Sequence, residues 1–230
     1  MTGTLYVVGT PIGNLRDITL RAIETLKAVD LIACEDTRQT GKLLSHYDVR
    51  KPLVSLHDHN ERERTPGLIE KLKAGESVAL VCDGGTPLIS DPGWRLVHDA
   101  IDTKISVTWI PGPTALIGGL VLSGLPMERF VFEGFLPIKS GQRRKRLEAL
   151  KDGERTIILY ESPHRLLKTL RDIHDVLGDV TVSCARELTK MFEEVRRGTV
   201  SEMIAHFEKR PPRGEFVLVF TPHPAPRTPQ

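Results

Sequence analysis

Short apolar segments rich in β-branched residues alternate with segments of helical periodicity through the first half of the chain, and this alternation restricts the possible folds more than any other feature. The predicted strands are residues 5–8, 30–34, 53–55, 78–82 and 106–110. Between them, residues 19–28, 38–46, 60–74 and 94–101 carry apolar side chains near the helical period of about 3.6 residues. Nearly continuous apolar strands joined by helices are typical of a parallel sheet covered on both faces. We therefore predict an α/β lobe with a mostly parallel sheet for residues 1–113.

The second half of the chain has a different pattern, and a stiff Pro-Gly-Pro segment at residues 111–113 marks the change. Its predicted strands are residues 130–133, 156–160, 180–185, 192–197 and 216–220. The third and fourth of these are joined by a connection of hairpin length, which is too short for a helical crossover. We predict a second lobe with a mixed sheet and helices at residues 114–222, followed by a flexible, proline-rich tail at residues 223–230.

The cysteines and the lack of long apolar runs indicate the cellular compartment in which the protein is expected. The three cysteines, Cys34, Cys82 and Cys184, form neither a disulfide framework nor a Cys-x-x-Cys pair. The chain contains no apolar run of membrane-spanning length and no signal-peptide pattern at its start. We therefore expect a cytoplasmic protein without a membrane segment. The net charge of only +2 confines any nucleic-acid surface to a local patch.

Three loops rich in glycine and proline follow predicted strands of the first half, at residues 9–14, 83–93 and 111–115. Ligands of open parallel sheets bind beyond the carboxyl ends of the strands, and glycine lets the backbone approach a ligand closely. One such loop is more often an ordinary turn, but three at one edge favour a binding site. The loops contain no lysine, and the chain lacks the usual signatures of dinucleotide, P-loop, zinc-protease and hydrolase sites.

Polar residues after the second and third strands are candidates for substrate contact. Asp36 is equally well explained as the N-cap of the next helix, while Glu35 precedes it at the strand end. Arg38 lies in the first helical turn, where the helix dipole disfavours a cation, so we expect it to bind an anion such as phosphate. His57 and His59 have no further clustered ligand, and we predict no metal site.

Basic residues concentrate at residues 139–151, where six lysines and arginines stand against one glutamate. Such a run is usually a solvated helix face, but its concentration in a nearly neutral chain favours contact with RNA. Arginines that follow later strands are further candidates, although surface ion pairs would explain them equally. The predicted substrate contacts are Glu35, Asp36, Arg38, Arg143, Arg144, Lys145, Arg146, Arg165 and Arg186.

The loops and four short motifs together resemble the tetrapyrrole methylase superfamily, the class III S-adenosylmethionine methyltransferases, and within it the branch that methylates small-subunit ribosomal RNA. The motifs are Glu-Asp-Thr-Arg at residues 35–38, Gly-Phe-Leu-Pro at 134–137, Glu-Ser-Pro-His-Arg at 161–165 and Arg-Glu-Leu-Thr-Lys at 186–190. The resemblance implies a homodimer of two-lobed subunits with S-adenosylmethionine in a cleft between the lobes. It also implies methyl transfer to the 2′-oxygen of a cytidine ribose in the decoding region of 16S rRNA.

The resemblance further implies which residues act. Those expected to surround the cofactor are Thr10, Pro11, Asp83, Gly84, Gly85, Thr86, Pro87, Thr114, Ala115 and Tyr160. A ribose hydroxyl is a weak acid, so its attack needs a base or a cation that stabilises the developing oxyanion. Lys190 and Glu161 are the candidates for this catalytic role.

Two other functions stay open at this point. A sister methyltransferase that acts on a tetrapyrrole or a modified protein residue would share the cofactor loops but would have little use for a basic helix. A non-catalytic RNA-binding assembly factor would no longer bind the cofactor. Fold alone cannot distinguish these functions, because one fold supports many activities.

Overall fold

The computed structural model describes residues 2–223 of the 230-residue chain. The chain divides into two compact units at Thr114–Ala115. Of the tail predicted at residues 223–230, all but His223 lies outside the described residues.

The first unit contains a five-stranded parallel sheet. Its elements are β1 (Thr4–Val8), α1 (Leu20–Ala28), β2 (Leu31–Cys34), α2 (Thr37–His46), β3 (Leu53–Ser55), α3 (Glu61–Lys73), β4 (Val78–Leu80), α4 (Trp94–Asp102) and β5 (Ser106–Ile110). The strand order is β3-β2-β4-β1-β5, and every ladder between neighbours is parallel. The predicted parallel sheet is confirmed.

Helices cover both faces of this sheet, because successive side chains of a strand point to opposite sides. In β2, Leu31 and Ala33 pack with apolar residues of α3 and α4. Ile32 and Cys34, the alternate residues, pack with apolar residues of α1 and α2. The near-continuous apolar strands seen in the sequence are therefore the consequence of burial on both faces.

The second unit contains a mixed sheet. Its elements are α5 (Ala115–Ser123), β6 (Phe130–Phe135), α6 (Ser140–Lys151), β7 (Thr156–Glu161), α7 (Leu166–Leu177), β8 (Thr181–Arg186), β9 (Glu194–Thr199), α8 (Val200–Lys209) and β10 (Phe216–Phe220). The order is β6-β7-β10-β8-β9, in which only the β6–β7 ladder is parallel. The predicted mixed sheet and the β8–β9 hairpin are confirmed. Across residues 2–223, no helix is both long and apolar enough to span a membrane.

Candidate active site

The three glycine- and proline-rich loops of the first unit contact one another at the carboxyl edge of its sheet. Thr10 and Gly85 form a backbone bridge, in which the Thr10 amide donates to the Gly85 carbonyl at 2.8 Å and the Gly85 amide donates back at 2.9 Å. The Thr86 hydroxyl donates to the Pro113 carbonyl at 3.4 Å. The loops after β1, β4 and β5 therefore form one continuous surface.

Two glycines are required by the contact between the first and third loops. A Cβ on Gly9 would lie 2.7 Å from the Cα of Gly112, and a Cβ on Gly112 would lie 2.8 Å from backbone atoms of Gly9. Gly85 has a φ of +103°, which side-chain-bearing residues rarely adopt. These glycines thus hold the loops together, a role that the sequence interpretation, which stressed access for a ligand, did not include.

Carboxylates collect at the ends of the neighbouring strands β2 and β4. Asp83 Oδ1 accepts a hydrogen bond from the Asp36 amide at 3.1 Å. Burial raises the pKa of Glu35, and the charge of Asp83 raises it further. Burial also raises the pKa of Asp83. The hydrogen bond from the Asp36 amide opposes this shift, whereas the negative charge of the Asp36 carboxylate adds to it. This edge of the sheet therefore has a negative potential, which suits a ligand that carries positive charge.

Asp36 and Arg38 form a pair at the start of α2. The Asp36 carboxylate caps the helix by accepting the Arg38 amide at 2.8 Å, which is one of the two roles considered for it, and it also binds the Arg38 guanidinium at 2.7 Å. The side-chain hydrogen bond from Arg38 is the main cause that lowers the pKa of Asp36 to about 2. Asp36 thus explains why a cation occupies the first turn, yet the Arg38 side chain is 86% exposed and accessible to an anion.

Tyr160, near the end of β7, contacts the start of α5 within the second unit. Its hydroxyl accepts a hydrogen bond from the Leu116 amide at 3.0 Å, one residue after Ala115. Its ring packs against Phe132 and Phe135, with centroid separations of 4.9 and 5.8 Å. Tyr160 is thereby held next to Ala115, the last of the predicted cofactor residues along the third loop.

Glu161 is buried and fully engaged within the second unit. Its side chain is 1% exposed, with one oxygen accepting from the Ser162 amide at 2.8 Å and the other from the Thr169 hydroxyl at 2.5 Å. Arg165 pairs with the same carboxylate at 3.3 Å and donates to the Leu136 carbonyl. These contacts argue against a catalytic role for Glu161 and against Arg165 as a phosphate contact, because both side chains stabilise the start of α7.

The connection between β8 and β9 carries the other two candidates. Lys190 Nζ lies 3.0 Å from a Glu187 oxygen and remains 43% exposed. Arg186 pairs with Glu194 at 2.7 Å across the hairpin. Both residues thus have the surface ion pairs given above as the alternative explanation, and Lys190 keeps the greater access to solvent.

The basic helix α6 is largely neutralised by carboxylates of its own unit. Arg143 is 3% exposed and pairs with the buried Asp172, which corrects its prediction as a phosphate contact. Arg144 pairs with Asp172 and Asp175, and Arg146 binds Glu133 with two hydrogen bonds. Lys145 is exposed and has no ion pair with any residue in the described part of the chain.

His57 is a residue of the same edge that sequence analysis treated only as polar loop. It follows β3, which neighbours β2 in the sheet, and its Nδ1 is buried without a hydrogen-bond partner. Its position directly after a strand was the signal that could have identified it. The His57 and His59 rings lie 6.0 Å apart, and among residues 2–223 no group of three His, Cys, Asp or Glu side chains is placed to hold a metal ion.

Comparison with known proteins identifies relatives of this chain in both fold and sequence. A solved diphthine synthase shares the fold, with a TM-score of 0.76 over 95% of this chain and 90% of that chain at 16% identity. The family profile of the Tetrapyrrole (Corrin/Porphyrin) Methylases matches residues 4–204, and the chain belongs to this family. It is 56% identical over 218 residues to the ribosomal RNA small subunit methyltransferase I of Synechocystis sp., covering 94% of this chain and 78% of that protein. It is 50% identical over 219 residues to the protein of the same name from Thermotoga maritima, covering 95% and 98%.

The family predicted from the sequence motifs is confirmed, and with it the cofactor. The chain is an S-adenosylmethionine-dependent methyltransferase. The site fits this cofactor on chemical grounds, because S-adenosylmethionine carries a sulfonium and an ammonium group, and Glu35, Asp36 and Asp83 give the loop edge a negative potential.

Proposed function

We propose that this enzyme methylates the 2′-oxygen of a cytidine ribose in the decoding region of 16S rRNA, as a cytoplasmic homodimer acting on the small ribosomal subunit. The observation that supports this proposal best is the identity of 50–56% across nearly the whole chain to proteins named ribosomal RNA small subunit methyltransferase I. Similarity of this extent to proteins of one name favours the ribosomal substrate over a pigment or a protein side chain.

In this proposal the first lobe, residues 1–113, binds the cofactor, which supplies an electrophilic methyl group. The second lobe, residues 114–222, adds Tyr160 next to Ala115. The cofactor contacts that we propose are Thr10, Pro11, Asp83, Gly84, Gly85, Thr86, Pro87, Thr114, Ala115 and Tyr160. The contacts among the loops fix their backbone before a ligand arrives, and a fixed site contributes to rate by orienting the reacting groups.

The RNA would be held by exposed cations. Arg38 keeps most of its guanidinium accessible beside the carboxylates, and Lys145 is an exposed cation on α6. The Lys190 side chain is 43% exposed, and its amine is the candidate that stabilises the oxyanion developing on the ribose. Arg144, Arg146 and Arg186 would contact phosphate in exchange for, or in addition to, their present carboxylate partners.

The proposal is tested by incubating the purified protein with small ribosomal subunits and methyl-labelled S-adenosylmethionine, followed by alkaline hydrolysis of the 16S rRNA. We expect label in the RNA and one cytidine that resists cleavage, because a methylated 2′-oxygen cannot attack the adjacent phosphate. Activity should survive chelation of divalent metals as long as the subunits stay intact.

Three results would contradict the proposal. Label on a nucleobase would exclude a ribose product. Label transferred to a tetrapyrrole or a protein side chain and absent from RNA would indicate a sister enzyme. Calorimetry that detects no binding of S-adenosylmethionine while RNA still binds would indicate an assembly factor without catalysis.

A further inference from the structure

Two polar side chains without hydrogen-bonding partners follow the ends of neighbouring strands of the first unit. In the β2–β3 ladder, Cys34 is opposite Ser55, and the Leu56 amide donates to the Cys34 carbonyl at 2.8 Å. Glu35 directly follows Cys34, and His57 follows Leu56, two residues after Ser55. The Glu35 carboxylate has no hydrogen bond or ion pair with any described residue, and Nδ1 of His57 is buried without a partner.

The backbone next to His57 is held in place by hydrogen bonds of Asn60. Asn60 Oδ1 accepts a hydrogen bond from the His57 amide at 2.9 Å, and Asn60 Nδ2 donates to the Ser55 carbonyl at 3.2 Å. The loop is thus clamped to the end of β3, which presents the imidazole at a defined position. A buried polar atom left unpaired is unfavourable, and titratable groups in such settings are enriched at functional sites.

The location of this pair relates it to the cofactor loops. The strand order β3-β2-β4-β1-β5 places the three loops at the ends of β4, β1 and β5. Glu35 and His57 occupy the two remaining strand ends of the same edge, and neighbouring strands are only about 4.8 Å apart. The hydrogen bond from the Asp36 amide to Asp83 ties the end of β2 directly to the second cofactor loop. The pair therefore lies at strand ends adjacent to the loops that we propose bind the cofactor.

We propose that His57 accepts the proton of the substrate hydroxyl and that Glu35 is a positioning residue that orients the imidazole and stabilises its protonated form. The inference rests on the proposed function, since it requires a hydroxyl as the methyl acceptor. The hydroxyl oxygen bonds to the methyl carbon as the carbon–sulfur bond breaks, and the sulfur keeps the electron pair. The hydroxyl proton passes to the imidazole and then to water, so charge and atoms balance.

Other charged groups face the pair and enter its electrostatics. They are Asp36 and Arg38 at the start of α2, Asp58 and His59 in the loop after β3, and Asp83 after β4. Three of these groups, Asp36, Asp58 and Asp83, are carboxylates that surround the pair with negative charge.

The first test compares His57→Gln with His59→Gln, a matched control on the exposed side of the same loop. We expect His57→Gln to lower kcat on small ribosomal subunits by about 100-fold or more, the usual contribution of a general base. Its affinity for S-adenosylmethionine, measured by calorimetry, should stay within about threefold of wild type because the cofactor loops are untouched. The acidic limb of the kcat–pH profile should disappear in His57→Gln and persist in His59→Gln.

Two further measurements separate chemistry from structure. Added imidazole should restore part of the turnover of His57→Ala, which a purely structural histidine would not allow. In the ligand-free protein, the pKa of the Glu35 carboxyl followed by NMR should rise in His57→Gln, because the charge of His57 lowers it in the wild type.

The outcomes distinguish this inference from the proposed function. If the wild-type protein methylates no ribosomal RNA, the proposed function fails, whereas the NMR titration still reports on the pair. If wild type is active and His57→Gln keeps its kcat, the inference is overturned. A loss of cofactor affinity in step with turnover, without imidazole rescue, would overturn it as well, because it would make His57 a structural residue.

Discussion

At the scale of single residues, the approach of Gly9 to Gly112 is what allows the first and third loops to share one surface. The Gly9 amide donates to the Ile110 carbonyl at 3.0 Å, so the loop after β1 runs directly against the end of β5. No side chain fits between the two backbones, and even a methyl group would have to displace one of them.

We therefore expect Gly112→Ala to lower the free energy of unfolding by roughly 1–3 kcal/mol, as overpacking usually does. Gly41→Ala is the matched control, because Gly41 lies within α2 with no other atom within 4 Å of the added carbon. That change should raise stability by about 0.5–1 kcal/mol, since alanine favours a helix over glycine. Urea denaturation of both variants measures the difference, and wild-type stability in Gly112→Ala would show that the loops do not pack as described.

Charged residues show how far single positions could be predicted. The cap role of Asp36 followed from its place before a helix, because capping depends on local sequence. The burial of Arg143 did not, because its partner Asp172 is 29 residues away in another helix. The signal in the sequence was its spacing of one helical turn from Leu147, the other buried residue of α6. His57 was underestimated for a similar reason, since its proximity to Glu35 depends on the order of strands in the sheet.

At the scale of whole elements, periodicity placed the predicted strands, and the four helices predicted in the first half, within a few residues of their observed bounds. Helix α5 was not predicted, because Ala115–Ser123 is almost entirely apolar and contains two adjacent glycines, so it shows no polar face. The structure explains these glycines by close packing. A Cβ on Gly119 would lie 2.5 Å from the Val217 side chain of β10, and helix and strand can approach only without it.

The arginines of helix α6 should differ in role, because Arg143 is buried and Arg144 and Arg146 are exposed. In the triple variant Arg144→Gln, Lys145→Gln and Arg146→Gln, the slope of log K against log salt concentration for single-stranded RNA should become less steep by about 2. Each phosphate that is no longer neutralised accounts for about 0.7 of this change. Arg143→Gln should leave the slope unchanged and lower stability by roughly 3 kcal/mol, because Asp172 stays buried with part of its countercharge gone.

Binding titrations across a range of salt concentrations, with urea denaturation of the same samples, measure both effects. A variant with Lys71→Gln and Lys73→Gln in α3 controls for the removal of exposed, ion-paired cations elsewhere. The affinity for S-adenosylmethionine should be equal in all of these proteins. An unchanged slope in the triple variant would remove α6 from the RNA surface and leave Arg38 and Arg186 as the remaining arginines for phosphate.

At the scale of the whole molecule, each hydrophobic cluster lies within one of the two units. The two clusters of the first unit lie on opposite faces of one parallel sheet, so the loops at its carboxyl edge are supported from both sides. Ligand binding at these loops should therefore stabilise the first unit as a whole. A ligand that binds only the folded state, at 100 times its Kd, stabilises by about 2.7 kcal/mol.

The carboxylates at this edge make that stabilisation depend on ligand charge. Asp83→Asn keeps an oxygen that can accept the Asp36 amide but removes the negative charge. S-adenosylmethionine carries a sulfonium charge that S-adenosylhomocysteine lacks, so we expect the variant to weaken S-adenosylmethionine binding severalfold more than S-adenosylhomocysteine binding. Thermal unfolding at a series of ligand concentrations, with Asp102→Asn on α4 as a remote control, gives both affinities. An equal weakening for the two ligands would mean that Asp83 contacts a part common to both, such as the ammonium group or a ribose hydroxyl. Unchanged affinity for both would mean that the loop at residues 83–93 does not bind the cofactor.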